Sequence, residues 1–224
     1  FCGLNLKDQN ILEIGSGLGG LAEHIAERYG SHVTGLEISE DIVTMAEKRC
    51  PHHLRERVSY QVYSDLRQLN LLDNGFDSAV SKGVLVHVND KLTLFRSVAR
   101  ALKVKGKFII NDWLSKDEGK WDPKIERMCE IDDLTLYPCT LPQYQKCLED
   151  AGFKVSSVID CSQTYAKYNF DIVKWILEPS NRDYMESKYP GFSSTEFAEG
   201  YQMIGETQRD GKLRVVNIFA ELMV

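Results

Sequence analysis

The sequence predicts an α/β fold in which a doubly wound, mostly parallel sheet is wrapped by helices. Three observations carry that reading. Short apolar runs alternate with helical periodicity over the first 115 residues. A glycine-rich loop joins the first apolar run to the first helical pattern, and carboxylates stand at the ends of successive runs. The chain has 224 residues, 43% apolar and 27% charged, which suits one domain, 1–224, with a sizeable core.

In chain order the strands are expected at 10–14, 32–37, 58–63, 76–81 and 107–113. Each is a short run rich in Val, Ile, Leu or Phe bounded by polar or turn residues. Helical periodicity falls at 19–29, at 40–50 behind a Ser39 cap, and at 91–102. In the last of these Leu92, Leu94, Phe95, Val98, Ala99 and Leu102 lie largely on one face. A helix near 142–151 and strands near 153–160 and 213–222 continue the pattern and bring the strand count to seven. Between the last two strands, 162–212 holds 9 of the 22 aromatic residues. That density predicts a helical, aromatic-rich cap, whose rings either pack against the sheet or line a substrate pocket.

A net charge of −6 gives no electrostatic reason to bind nucleic acid or an anionic membrane, so neither is expected as a partner. No apolar run is long enough to span a bilayer. The six cysteines, Cys2, Cys50, Cys129, Cys139, Cys147 and Cys161, contain no C-x-x-C pair and read as reduced thiols of a cytoplasmic protein.

The chemistry begins in the run Ile11-Leu12-Glu13-Ile14-Gly15-Ser16-Gly17-Leu18-Gly19-Gly20. It presents backbone N–H groups at a helix N-terminus and lets a ligand approach the glycines closely. Gly15, Gly17 and Gly20 also satisfy the dinucleotide pattern G-x-G-x-x-G, so the loop alone does not choose between NAD and another adenosine ligand. The neighbouring acids choose. Glu13 would repel a pyrophosphate but accept from an ammonium group such as that of S-adenosylmethionine. Glu37, 20 residues after Gly17, suits both ribose hydroxyls. Asp65 could accept from the adenine amino group, with Ile38 packing on the ring. Gly15, Gly17 and Gly19 would then shape the methionine pocket.

With these residues in view, 10–113 resembles a class I S-adenosylmethionine-dependent methyltransferase. Within that class it is most similar to the branch of phosphoethanolamine and sarcosine/dimethylglycine N-methyltransferases. The residues carrying the likeness are the glycine loop, Phe76-Asp77, Ser81-Lys82-Gly83-Val84-Leu85-Val86-His87, Ile109-Ile110-Asn111-Asp112-Trp113, and the ending Gly200-Tyr201, Lys212 and Phe219. The resemblance implies a Rossmann-like seven-stranded sheet whose last strand is antiparallel and inserted between the fifth and sixth. It also implies a catalytic histidine at His87, and a tyrosine from an N-terminal lid that this chain, beginning at Phe1, does not show.

Methyl transfer needs an in-line donor and an unprotonated acceptor, and requires no metal. His87 follows the fourth strand and is the expected general base or hydrogen-bond partner for an amine. Asp112, Trp113 and Trp121 are expected on the acceptor side. The departures from the branch are informative. The acid that would face the amine is replaced by Gly83, and the family's Tyr, Arg and Tyr phosphate grip becomes Met128, Asp132 and Leu134, which disfavours a phosphorylated acceptor. Seven acids against four bases in 116–133 could, with Trp113, Trp121 and Tyr168, receive a cationic amine.

The reading is therefore transfer from S-adenosylmethionine to a small-molecule acceptor, with an amine nitrogen favoured. Its rivals are an O- or C-methyltransferase for an apolar metabolite, a nicotinamide oxidoreductase, and a non-catalytic adenosylmethionine-binding module. The sequence leaves monomer and homodimer equally open.

Overall fold

The structure, a computed structural model, describes residues 6–63 and 75–223. Among these are seven strands: β1 (Asn10–Ile14), β2 (His32–Glu37), β3 (Val58–Val62), β4 (Phe76–Lys82), β5 (Leu102–Ser115), β6 (Phe153–Asp160) and β7 (Leu213–Leu222). The eight helices are α1 (Gly20–Tyr29), α2 (Glu40–Arg49), α3 (Lys91–Ala101), α4 (Pro123–Ile131), α5 (Leu141–Asp150), α6 (Ser162–Leu177), α7 (Pro179–Lys188) and α8 (Ser194–Arg209). The strands form one sheet in the order β3-β2-β1-β4-β5-β7-β6. Six are parallel and β7 is antiparallel. The direction of β7 shows at both ends of its partnership with β6: the Met223 N–H donates to Gly152 O and the Cys161 N–H to Val215 O.

Local rules set the helix ends. The Ser39 Oγ accepts from the Ile42 N–H at 3.3 Å, with Glu40 and Asp41 in the first turn of α2 and Lys48 and Arg49 in its last, matching the helix dipole at both ends. Gly30 ends α1 at φ 70°, its N–H bonded to Ala26 O, a left-handed cap that glycine adopts without strain. Asp90 caps α3 by accepting from the Thr93 N–H at 3.0 Å.

The chain divides into two compact units. The first runs to Asp112 and adds Pro142–Val158 and the residues from Asn217; the second is Trp113–Leu141 with Ile159–Val216. The second unit is thus larger than the aromatic segment alone, because α4 and its flanks join it.

In the first unit Ile11, Val33, Val58, Val80 and Ile109 of the sheet pack with Ala22, Ile25 and Ala26 of α1 and Val43 and Ala46 of α2. Phe108, one residue from Ile109 and so on the opposite face, lies 5.8 Å from Phe95 and 5.7 Å from Phe153, and Phe95 lies 5.4 Å from Tyr144. A sheet covered on both faces explains why its strands are near-continuous apolar runs.

In the second unit α6 and α8 pack closely, and Gly205 makes that possible: a Cβ there would stand 2.8 Å from the Phe170 ring. Asn169 donates to Gln208 across the same contact at 2.8 Å. Phe192, Phe197 and Tyr201 form a ladder of rings with centroids 5.1 and 5.0 Å apart.

The fifth strand differs most from expectation. It begins at Leu102 and not at 107, because Phe76 pairs with Leu102 while Ser78 pairs with Lys107. The irregularity lies within the polar stretch 103–106, where Lys105 takes φ 64°. No helix of the described residues is long and apolar enough to cross a membrane.

Candidate active site

Parallel pairing brings the candidate residues of the first unit to one edge of the sheet. Ile14 is in register with Leu36 of β2 and Ser81 of β4, so the glycine loop, Glu37 and the turn carrying His87 all leave the sheet at its C-terminal side. The strand order reverses between β1 and β4, the position where open α/β sheets bind ligands.

The glycines of the loop are not equivalent. Gly15 (φ 74°) and Gly19 (φ 88°) take backbone angles that favour glycine, and a Cβ on either would overlap protein: Val84 at Gly15, the Tyr60 phenol at Gly19. Gly17 (φ 51°) faces no heavy atom within 4 Å. Gly15 and Gly19 thus let the loop fold down, and Gly17 leaves its outer side open to a ligand. Tyr60 supports the arrangement from β3, its hydroxyl 3.4 Å from both Gly19 O and Glu23 Oε1.

Glu37 is bound to the same loop. It accepts from the Gly17 N–H at 3.0 Å through Oε2 and from the Ile38 N–H at 2.8 Å through Oε1. Ile38 beside it is 68% exposed, an apolar face on the open side of the strand end. Glu13 is the anomaly of the edge: it is 2% exposed, and its Oε2 is buried without a hydrogen-bond partner. Burial pushes its carboxyl up to about 8, against the opposing effects of the Ala22 N–H and the Lys82 charge.

After β4 the chain makes a 3-10 turn, Leu85–His87, with Leu85 and Val86 buried and His87 exposed at its end. Val84, which abuts Gly15, accepts from the His87 N–H at 3.0 Å, tying the turn to the glycine loop. Asp112 holds the turn from β5: its Oδ1 accepts from the Val86 N–H at 3.2 Å and its Oδ2 from the Tyr144 hydroxyl at 3.0 Å. The expectation of an acceptor-facing Asp112 changes accordingly. The residue is fully buried and both oxygens are engaged inside the protein, so it is a positioning residue for the His87 turn. Asp65 lies outside the described residues.

Trp113 and Trp121 belong to the second unit. Trp113 is half-buried, whereas Trp121 is buried with its indole N–H donated to Leu136 O at 3.0 Å. The Trp121 ring thus offers little surface to an acceptor, although it borders a cavity of about 330 Å³ lined also by Lys116, Lys120, Asp122 and Lys212. Of the grip positions, Met128 is buried while Asp132 and Leu134 are exposed.

Comparison with known proteins agrees with this geometry. Residues 12–110 match the family described as a methyltransferase domain. Phosphoethanolamine N-methyltransferase of Plasmodium falciparum is 29% identical over 150 residues, covering 66% of this chain and 54% of that protein. The O-methyltransferase cnsE of Penicillium expansum is 30% identical over 154 residues, covering 69% of this chain and 55% of that protein. Among solved structures, phosphoethanolamine N-methyltransferase 2 of Haemonchus contortus in complex with S-adenosyl-L-methionine superimposes with a TM-score of 0.83 at 22% identity, covering 98% of this chain and 50% of that one.

Residues 12–110 carry a methyltransferase domain, on the fold of the S-adenosyl-L-methionine-bound structure just described. The chain spans about half the length of the two curated relatives just described.

The residues present fit S-adenosyl-L-methionine, the ligand of the Haemonchus contortus structure. The unpartnered Glu13 oxygen is an acceptor that an ammonium group could satisfy, and the open side of Gly17 admits a ligand against the backbone. Two residues of this edge escaped the sequence reading: Tyr60 and Tyr144. Each acts across 30 or more residues of chain and reads in sequence as an ordinary core side chain.

Proposed function

We propose that this protein transfers the methyl group of S-adenosylmethionine to an amine nitrogen of a small molecule, with His87 serving the acceptor. The observation that carries the reading is the placement of His87, exposed on a turn that is locked to the glycine loop through Val84 and to β5 through Asp112. A histidine fixed at the cofactor edge is suited to take the proton an amine must lose for its lone pair to attack.

In this reading Gly15, Gly17 and Gly19 shape the methionine pocket, with Glu13 receiving the ammonium group. Glu37 binds the ribose hydroxyls, Ile38 covers the adenine ring and Asp65 accepts from its amino group. When bound, the cofactor supplies a sulfonium methyl that leaves its sulfur as the acceptor's lone pair forms the new bond. The imidazole of His87 accepts the proton given up by the nitrogen, and Asp112 keeps the turn in place while this happens.

A second reading, transfer to oxygen, is favoured by the fungal O-methyltransferase relative. The two separate when the intact protein is given S-adenosylmethionine with a labelled methyl group and a panel of amines, amino acids, phosphobases, phenols and acids. Label in an amine, with a fall in turnover of about 10²-fold or more in His87→Ala, is the expected result. Label confined to phenols or acids would establish the second reading.

A further inference from the structure

Behind the His87 turn lies a buried lysine that neither the cofactor edge nor the acceptor chemistry uses. Lys91 opens α3 and is 5% exposed, with its ammonium inside the protein. Two costs attach to it. An ammonium removed from water must recover its lost hydration from partners in the interior. The first turn of a helix is also the end where the dipole is positive, and α3 has no acid in that turn. Asp90 at the N-cap already serves the helix by accepting from the Thr93 N–H at 3.0 Å and the Thr93 hydroxyl at 2.6 Å. A lysine at the next position is not what α3 needs in order to start.

The side chain instead folds back onto the turn that carries His87. The Lys91 Nζ donates to Val88 O at 2.8 Å, and the Asp112 Oδ1 accepts from the Val86 N–H at 3.2 Å. The residues on either side of His87 are thus held by two buried side chains, an ammonium from α3 and a carboxylate from β5. Tyr144 of α5 touches both. Its hydroxyl donates to the Asp112 Oδ2 at 3.0 Å, and its ring centroid lies 6.0 Å from the Lys91 Nζ. An electron-rich ring beside the ammonium and a hydroxyl on the carboxylate join the two grips into one buried cluster. The backbone of the turn is fixed from inside, while His87 itself is exposed.

We propose that Lys91 is a positioning residue for His87: together with Asp112 it grips the chain on both sides of the histidine and so sets the direction of the imidazole. A turn held by apolar contacts alone can slide. Here any displacement strands the Val88 carbonyl or the ammonium in the interior, where an unmade hydrogen bond is costly. That the histidine serves the methyl acceptor rests on the amine reading above, whereas the fixing of its ring by Lys91 does not.

Histidine-ring NMR of the intact protein tests the placement without any turnover. The chain has five histidines, and the signal lost in His87→Ala assigns His87. In Lys91→Met, which keeps the stem and removes the donor, the His87 signal is expected to move further than those of His24, His32, His52 and His53. Lys91→Arg keeps a charged donor and should bring it back towards the wild-type position. With the amine labelled in the transfer assay, Lys91→Met should lower kcat at least about tenfold while KM for S-adenosylmethionine stays within about twofold. An unmoved His87 signal in Lys91→Met, a kcat within about twofold of wild type, or all five signals moving in both variants overturns the inference. The two readings fail separately. Label in an amine beside an unmoved His87 signal sinks the role of Lys91 and leaves the amine reading; a moved His87 signal in a protein that labels no amine does the reverse.

Discussion

Along the C-terminal edge of β1, β2 and β4, carboxylates are secured by backbone. Glu37 takes N–H groups from Gly17 and Ile38, and Asp112 takes the Val86 N–H together with the Tyr144 hydroxyl. In the second unit more of the acids are paired to lysine and arginine side chains, as Glu206 is to Lys124, Glu130 to Arg127 and Asp122 to Lys212, although Asp122, Asp160 and Glu186 also take backbone N–H groups. Backbone partners depend on the fold and survive most substitutions; side-chain partners change with each one. Glu13 breaks the pattern on the first side.

The largest expected effect is at Glu13. Its carboxyl is held at about 8 in the folded protein against 4.5 ordinarily, so between these pH values the folded state binds more protons than the unfolded state. The stability associated with this group is full below about pH 4.5 and is lost as pH rises through 8, a change on the order of 5 kcal/mol. Urea unfolding at pH 5.5 and 8.5 should show this slope in the wild type and a much flatter one in Glu13→Gln. Equal slopes would place Glu13 with the ordinary, water-exposed acids of the second unit.

Next in size is Asp112→Ala. It strands the Tyr144 hydroxyl and the Val86 N–H in the interior and should lower unfolding stability by about 3 kcal/mol. A loss under about 1 kcal/mol would mean that the His87 turn is not anchored from β5. The smallest effect has the opposite sign: Asp132→Asn removes a charge from the negative end of α4 and should raise stability by about 0.5 kcal/mol. An unchanged or lower denaturation midpoint would remove the energetic part of the contrast between the two units.

Much of the first unit was legible in the sequence because its rules are local. The bounds of β1, β2, β6 and β7 follow from apolar runs and their flanking turn residues, and Ser39 marks the start of α2 directly. Asp112 was harder. A carboxylate near a strand end reads alike whether it faces substrate or interior. Only its alternation with Phe108, Ile110 and Leu114, all buried, points it inward. The joining of Trp113–Leu141 to the second unit depends on contacts made across some 70 residues of chain. Neither propensity nor spacing encodes them.

The placing of β7 bears on how the molecule is assembled. It is the last of the seven described strands in chain order, yet it lies between β5 and β6. Until Leu213–Leu222 has emerged, β6 has no hydrogen-bonding neighbour in the sheet, and β5 presents an open flank where β7 will dock. The β1–β4 half can form its ladders during synthesis, but the remainder of the sheet must wait until Leu213–Leu222 has been made. During that interval the nascent protein exposes two unpaired strand edges, the period in its life when it is most open to association with other chains.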